Sequence, residues 1–219
     1  MADPLLHFTR SGKFQKQKIV WLHGSGSSSW MWKPVTSLLP QYHCIAVDLP
    51  QHGRSKAIGS FTMPFAAEKV AELIDYLSPD KPVHLAGLSE GAQVVVQILA
   101  SHTRVIKSAF ISSTLLPVHG AGIFASKWAA RWTYRQAVKP FKNWDYWIRP
   151  NMKYVAGIPE QYFAHFNQDF QNITEDAFSN LMVANQRFRL PEWLQKTRYL
   201  CLSFASVRST APCRLLRHC

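Results

Sequence analysis

Pro82-Val83-His84-Leu85-Ala86-Gly87-Leu88-Ser89-Glu90-Gly91-Ala92-Gln93-Val94-Val95-Val96 decides the architecture of this chain. The first five residues are a short apolar run bounded by turn formers and predict a buried strand. Residues 92–101 (AQVVVQILAS) predict a buried helix. Between them stands Gly87-Leu88-Ser89-Glu90-Gly91, a G-x-S-x-G pentapeptide. Alone it is a weak signal, because Gly and Ser are common. Between a strand and a helix it is strong. The sharp turn there forces Ser89 into a strained backbone conformation, and Gly87 and Gly91 let strand and helix pass closely. Such a turn exposes the hydroxyl at the carboxyl end of the sheet, where open α/β folds bind ligands. It also sets Ser89 at a helix N-terminus, whose free N–H groups and dipole favour developing negative charge. The competing reading is a glycine-flanked turn with an incidental serine.

The same alternation continues on both sides. Ile19-Val20-Trp21-Leu22 predicts a buried strand ending at His23-Gly24-Ser25-Gly26-Ser27, followed by a helix from about Trp30 to Leu39. His43 to Val47 predicts a second strand, ending in Asp48-Leu49-Pro50-Gln51-His52-Gly53-Arg54-Ser55. From Pro64 to Leu77 the apolar residues Phe65, Val70, Leu73, Ile74 and Leu77 recur at helical spacing. Val105 to Ser112 is another strand. Strands regularly separated by helices predict an α/β fold with a mostly parallel sheet flanked by helices. Four strands are visible up to Leu116, and the pattern then changes. Residues 117–190 predict helices at about 121–139, 143–148, 159–171 and 174–187, a helical cap inserted into the core. Tyr199-Leu200-Cys201-Leu202 is the strand that returns to the sheet. The expected division is residues 1–116 as the first part of the core, 117–190 as the cap, and 191–219 as the returning strand and a basic tail.

Composition narrows the function classes. The 219 residues are 47% hydrophobic and 13% aromatic, which excludes intrinsic disorder and gives a core-forming chain. No apolar run of membrane-spanning length occurs and the first residues carry no secretory signal pattern, so a cytoplasmic protein without stable membrane insertion is expected. Cys44, Cys201, Cys213 and Cys219 show no metal-ligand or framework spacing and read as reduced thiols. The net charge of +12 raises nucleic acid as a partner. Five of the 25 basic residues follow the last acid, Glu192. That leaves 20 against 13 acids, or +7, for residues 1–192. With no nucleic-acid motif, no nucleic-acid partner is expected.

The loop His23-Gly24-Ser25-Gly26 lies at the same sheet end as Ser89. Acyl transfer needs a second N–H donor beside the one after the nucleophile, and the backbone N–H groups of Ser25 and Glu90 are the candidates. The alternative, a phosphate loop, lacks either glycine-rich phosphate motif. His23 reads as a buried hydrogen-bonding residue that shapes this loop.

HGSGSSSWMW, DLPQHGRS and GLSEGA, in this order, resemble the α/β-hydrolase superfamily, in particular its esterase-like group with a helical cap. The resemblance spans residues 18 to about 195. It implies that Ser89 is the nucleophile, that the loop after His23 supplies one oxyanion donor at Ser25, and that Asp48 to Ser55 is structural, with Asp48 and His52 bracing a loop. It implies a serine hydrolase of a small ester, thioester or related acyl compound, with a small-molecule acyl substrate as partner and no metal or organic cofactor.

The family's chain order is Ser, then Asp or Glu, then His. Here the returning strand leads into Phe204-Ala205-Ser206-Val207-Arg208 with no carboxylate, and only His218 lies beyond. Asp145 with His165 satisfies the order inside the cap but reads as a surface pair. The tail SFASVRSTAPCRLLRHC is therefore expected to be a truncated, spliced or frameshifted ending, with the C-terminal part of the core incomplete. The alternative function is a catalytically inactive, ligand-binding form of the fold. Lys127, Arg131, Arg135 and Lys139 recur every four residues beside Trp128, Trp132 and Tyr134. They read as a solvated basic face with its aromatics over the pocket, or as a cationic face suited to anionic substrates or membranes.

Overall fold

The computed structural model describes residues 5–14, 16–114, 126–150, 152–153, 158–191 and 200–203. Among them six strands form one sheet in the order β1-β3-β2-β4-β5-β6. These are β1 Phe8–Gly12, β2 Lys18–Leu22, β3 His43–Val47, β4 Val83–Leu88, β5 Ile106–Ser112 and β6 Leu200–Ser203. All neighbours are parallel except β1, which runs antiparallel to β3 at the edge. Five strands therefore precede the inserted helices, not four. β1 (FTRSG) escaped the sequence reading because an edge strand buried on neither face carries no apolar pattern. Residues 204–219, with His218, Cys213, Cys219 and the expected ending, lie outside the described residues, as do residues 121–125 of the first expected cap helix.

The central strands sort their side chains with period two. Val20, Leu22, Ile45, Val47 and Leu85 enter the main core, while Trp21, Cys44, Ala46 and Ala86 form a second cluster on the opposite face. Helices α2 (Met63–Leu77) and α3 (Glu90–Ser101) pack on the main-core face and on each other. α2 begins where Thr62 Oγ1 accepts from the Phe65 N–H at 3.2 Å, and it buries Ala66, Ala67, Val70, Leu73 and Ile74. The run Val94-Val95-Val96 overrides its modest helix propensity because α3 is buried nearly all round.

The second face is less covered. Residues Ser29–Trp32 form a 3-10 turn and only Lys33–Thr36 is α-helical (α1), shorter than the expected helix to Leu39. Trp32 lies 4.8 Å from Trp21, ring centroid to centroid. Beyond them an apolar groove of about 550 Å³ runs along Ile19, Trp21, Tyr42 and Phe110, and Phe110 is 46% exposed.

Between β5 and β6 lie α4 (Lys127–Thr133), α5 (Asp145–Pro150), α6 (Phe163–Asn172) and α7 (Glu175–Arg187). α4 relaxes into a π-helical turn at Tyr134–Val138, so the basic stripe is not one straight helix. The stripe is an exposed face, and two of its arginines also meet acids of α7. Arg135 makes a two-pronged contact with Glu175, and Arg131 reaches Asp176 at 2.6 Å, pinning α4 to α7. Trp128 and Trp132 are exposed rather than packed, whereas Tyr134 is buried and donates to the Ile173 carbonyl. No helix among the described residues is long and apolar enough to cross a membrane.

The strand order fixes where a ligand site belongs. From β2 the chain steps to β3 on one side, then crosses back to β4 on the other. Loops after β2 and β4 diverge there, leaving a crevice at the carboxyl ends of these two strands. The helix after β4 comes close: a β-carbon on Gly91 would lie 2.3 Å from the Leu22 carbonyl oxygen, and one on Gly87 would lie 2.4 Å from that of Gly91. Neither glycine has a left-handed φ, so the demand is purely steric. Gly91→Ala is accordingly expected to destabilise the fold by about 3 kcal/mol or more, since backbone must move. Denaturant melts comparing it with Ala92→Gly, whose cost is expected to be smaller, check this; equal costs would contradict the steric account.

Candidate active site

Ser89 joins β4 to α3 with φ 53° and ψ −112°. That left-handed φ is unusual for a residue with a side chain and is held by the packing of Gly87 and Gly91 and by a bond from the Ser89 N–H to the Ser112 carbonyl at 2.9 Å. The loop after β2 comes directly alongside: a β-carbon on Gly24 would stand 3.4 Å from Ser89 Cβ. Of the residues singled out in the sequence, His23, Gly24, Ser25, Gly87, Ser89, Glu90 and Gly91 are all brought together at this crevice.

His23 is fully buried and uses both ring nitrogens. Nδ1–H donates to the Gly24 carbonyl at 2.8 Å, and Nε2 accepts from the Leu49 N–H at 3.0 Å. It ties the nucleophile-side loop to the Asp48–Ser55 loop. Burial depresses its pKa, against the pull of the Gly24 carbonyl and Asp48. Asp48 accepts from the Ser29 N–H at 2.7 Å, the Arg54 N–H at 2.9 Å and His7 Nδ1 at 2.9 Å. Burial works against its charge, but these N–H donors hold its carboxyl below the usual range. Asp48 therefore acts here as the brace of three chain segments.

The side chain of Glu90 is a feature the sequence reading did not single out. It is 1% exposed, and Ser25 Oγ donates a short hydrogen bond to its Oε2. Its Oε1 has no hydrogen bond and faces His52 Nε2 at 3.7 Å. His52 Nδ1–H is committed to the Pro50 carbonyl at 3.0 Å, so Nε2 presents a lone pair. The spacing is within ion-pair range, yet burial raises the Glu90 pKa against the pull of His52 and Ser25, and burial lowers that of His52 against Glu90. Both shifts favour a neutral pair. Two unsolvated charges at this separation would cost more than they return.

Asp169 on α6 is the second unforeseen residue. It accepts from Ser28 Oγ at 2.8 Å and from Trp30 Nε1 at 2.6 Å, across more than 130 residues of sequence. Burial raises its pKa against these two bonds. Tyr162 and His165 stack on the Trp30 ring at 5.7 and 5.8 Å. Asp169, not Asp145, is thus the acid in the neighbourhood of His165. Among the described residues no side chain hydrogen-bonds Ser89 Oγ, and His119 and His218 lie outside them. A cavity of about 480 Å³, lined by Phe61, Met63, Val183 and Phe188, is not at Ser89. The α3 residue reaching it, Gln97, lies about 12 Å along the helix from Ser89. No cluster of potential metal ligands occurs among the described residues.

Residues 19–213 match the Alpha/beta hydrolase family. This chain belongs to that family. It is 26% identical over 145 residues to an AB hydrolase superfamily protein of Gibberella zeae, covering 61% of this chain and 49% of that one. It is 30% identical over 160 residues to the pimeloyl-(acyl-carrier protein) methyl ester esterase of Yersinia enterocolitica, covering 72% and 49%. A hydrolase from Pseudomonas aeruginosa has the same fold, with TM-score 0.70 and 19% identity over 89% of this chain and 74% of that one. The chain spans about half the length of these curated relatives. The chain thus has the alpha/beta hydrolase fold, and an esterase stands among its relatives.

Two outcomes follow from the buried groups. The folded chain disfavours charge on His23 and His52, so their contribution to stability is complete above the unfolded pKa near 6.5. It is lost as pH falls below that value toward the depressed folded ones, by up to about 1.4 kcal/mol per pH unit for each histidine. Melting temperatures from pH 7.5 to 5 are expected to fall, and less steeply in His23→Gln; parallel profiles would contradict this. Asp169→Ala is expected to cost about 1–3 kcal/mol by leaving Ser28 and Trp30 unpaired. Amide exchange in α6 should rise, and unchanged α6 protection would show that Asp169 does not hold α6 to the loop.

Proposed function

We propose that this chain is a serine hydrolase acting on a small ester, thioester or related acyl substrate through an acyl-enzyme at Ser89. One observation carries the reading: Ser89 stands at φ 53° at a helix N-terminus, in a turn closed by two glycines that admit no β-carbon, beside the Gly24–Ser25 loop. Backbone strain of this kind is retained where a reacting group needs it. In this reading Ser89 Oγ attacks the substrate carbonyl carbon while its proton passes to a histidine base. The carbonyl oxygen gains charge between the backbone N–H groups of Ser25 and Glu90. The tetrahedral intermediate expels the alcohol or thiol, and water then releases the acid from Ser89. The family order of Ser, acid and His leaves the base to a histidine that follows an acid after Ser89, and His218 is a candidate by position in the chain. The esterase of Yersinia supports the ester chemistry, since its name describes a methyl ester substrate.

The competing reading, a hydrolase fold that binds a ligand without turning it over, is favoured by the lack of a hydrogen-bond partner for Ser89 Oγ among the described residues. Fluorophosphonate labelling of the folded chain, read by intact mass, separates the two. The hydrolase reading expects one adduct that Ser89→Ala abolishes, and ester turnover that drops by about 10⁴-fold in the same variant. A folded chain that stays unlabelled leaves the ligand-binding reading standing instead.

A further inference from the structure

We propose that Glu90 is a positioning residue whose side chain ties the Gly24–Ser27 loop to the first turn of α3, setting the Ser25 N–H against its own as the two donors over Ser89. The inference rests on the hydrolase reading above and adds a role for a side chain that reading does not use. Glu90 is the first residue of α3, immediately after Ser89, so its backbone cannot shift without moving the nucleophile. Its carboxyl is buried and takes the Ser25 hydroxyl as a hydrogen-bond donor. Ser27 Oγ and His23 Nδ1 both donate to the Gly24 carbonyl and fix the loop's shape. The approach of Gly91 to the Leu22 and His23 carbonyls seats the start of the loop against α3. The Ser25–Glu90 bond is the side-chain tie at Ser25 itself, and it joins residues 65 apart in sequence.

The position of Oε1, 3.7 Å from His52 Nε2, is the second observation. One oxygen of the carboxyl takes the Ser25 hydroxyl and the other is turned to the His52 ring, so the side chain meets both loops that flank Ser89. His52 and the adjoining His23 are the titratable groups against it, with Asp48 beyond them.

The test uses the full chain and three variants, Glu90→Ala, Glu90→Gln and Ser25→Ala, in two assays. Hydrogen exchange by mass spectrometry reads residues 24–31. Exchange there is expected to speed up at least about tenfold in Glu90→Ala and in Ser25→Ala, because either change leaves the loop untied. Glu90→Gln still offers Ser25 an acceptor oxygen and recovers most of the protection. The rate of fluorophosphonate labelling at Ser89 is expected to fall about tenfold or more in the two alanine variants, with the larger part recovered in Glu90→Gln. Ser25→Ala deletes one hydroxyl and keeps the backbone donor, so it remains informative if Glu90→Ala does not fold. Unchanged exchange in Ser25→Ala overturns the tie. Faster exchange with unchanged labelling leaves only a structural brace and overturns the positioning role. A wild-type chain that never labels, with exchange responding as expected, removes the hydrolase reading and the positioning role with it.

Discussion

The approach of α3 to the end of β2 is the contact on which the rest of this structure depends. Gly91 lies so close to the Leu22 carbonyl that no larger residue fits without moving backbone, and Gly87 meets Gly91 in the same way. Because helix and strand meet at this distance, the intervening turn has no relaxed path, and Ser89 takes its left-handed φ. One such residue costs about 1–3 kcal/mol. The helix it begins buries Val94, Val95, Val96 and Ile98, each contributing roughly 1.5–3 kcal/mol. Packing of the helix therefore outweighs the strain at its start, and the strained residue is stable where it stands. The same approach denies the Glu90 side chain a route to solvent and sends its carboxyl to Ser25.

Around that contact the polar groups form one connected set rather than isolated pairs. Asp48 joins β1, the Ser29 turn and the Arg54 turn; His23 joins the Gly24 loop to Leu49; His52 stands edge-on to His23 and faces Glu90. Such a network adds little net stability, because each bond replaces one to water. Its value is geometric. An apolar filling would stabilise the fold as well, but it would leave three loops free to slide against each other. Directional bonds allow one arrangement, and the loops after β2, β3 and β4 are the ones that must agree if Ser89 and Ser25 are to act on one atom.

What was legible in the sequence and what was not divides along physical lines. Buried strands such as His43–Val47 and the helix ending at Leu77 were readable because burial forces an apolar pattern onto consecutive residues. The Ser89 turn was readable because its sterics admit only glycine at two fixed positions. β1 was not, since Phe8–Gly12 is partly exposed on both faces and its pairing with β3 is made by backbone groups. The clasp of Asp169 on Ser28 and Trp30 left no trace either, because a hydrogen bond between distant segments imposes no periodicity on either one. Glu90 was named for its backbone N–H, and nothing in GLSEGA says that its side chain turns inward. That outcome depends on the loop contributed by β2, which only the folded sheet places there. The basic stripe was legible as an exposed face, but the acids that meet Arg131 and Arg135 belong to α7 and left no mark on it.

The character of the Glu90 tie also follows from magnitudes. Where a carbonyl oxygen gains charge, a removed N–H donor costs about 2.7–4 kcal/mol of transition-state stabilisation. A full negative charge about 5 Å from such an oxygen, at an effective dielectric near 20, opposes it by about 3 kcal/mol, comparable to what one donor supplies. A neutral carboxyl carries no such penalty and still accepts from Ser25. Complete burial raises the Glu90 pKa, against the pull of His52 and Ser25, and so works toward that neutral form. A lysine or arginine in this place would bring charge of the favourable sign but offer Ser25 no acceptor oxygen. An apolar residue would leave the Ser25 hydroxyl buried without a partner. A carboxyl offers Ser25 its acceptor oxygen, and the burial that raises its pKa works against the charge that would oppose the substrate oxygen.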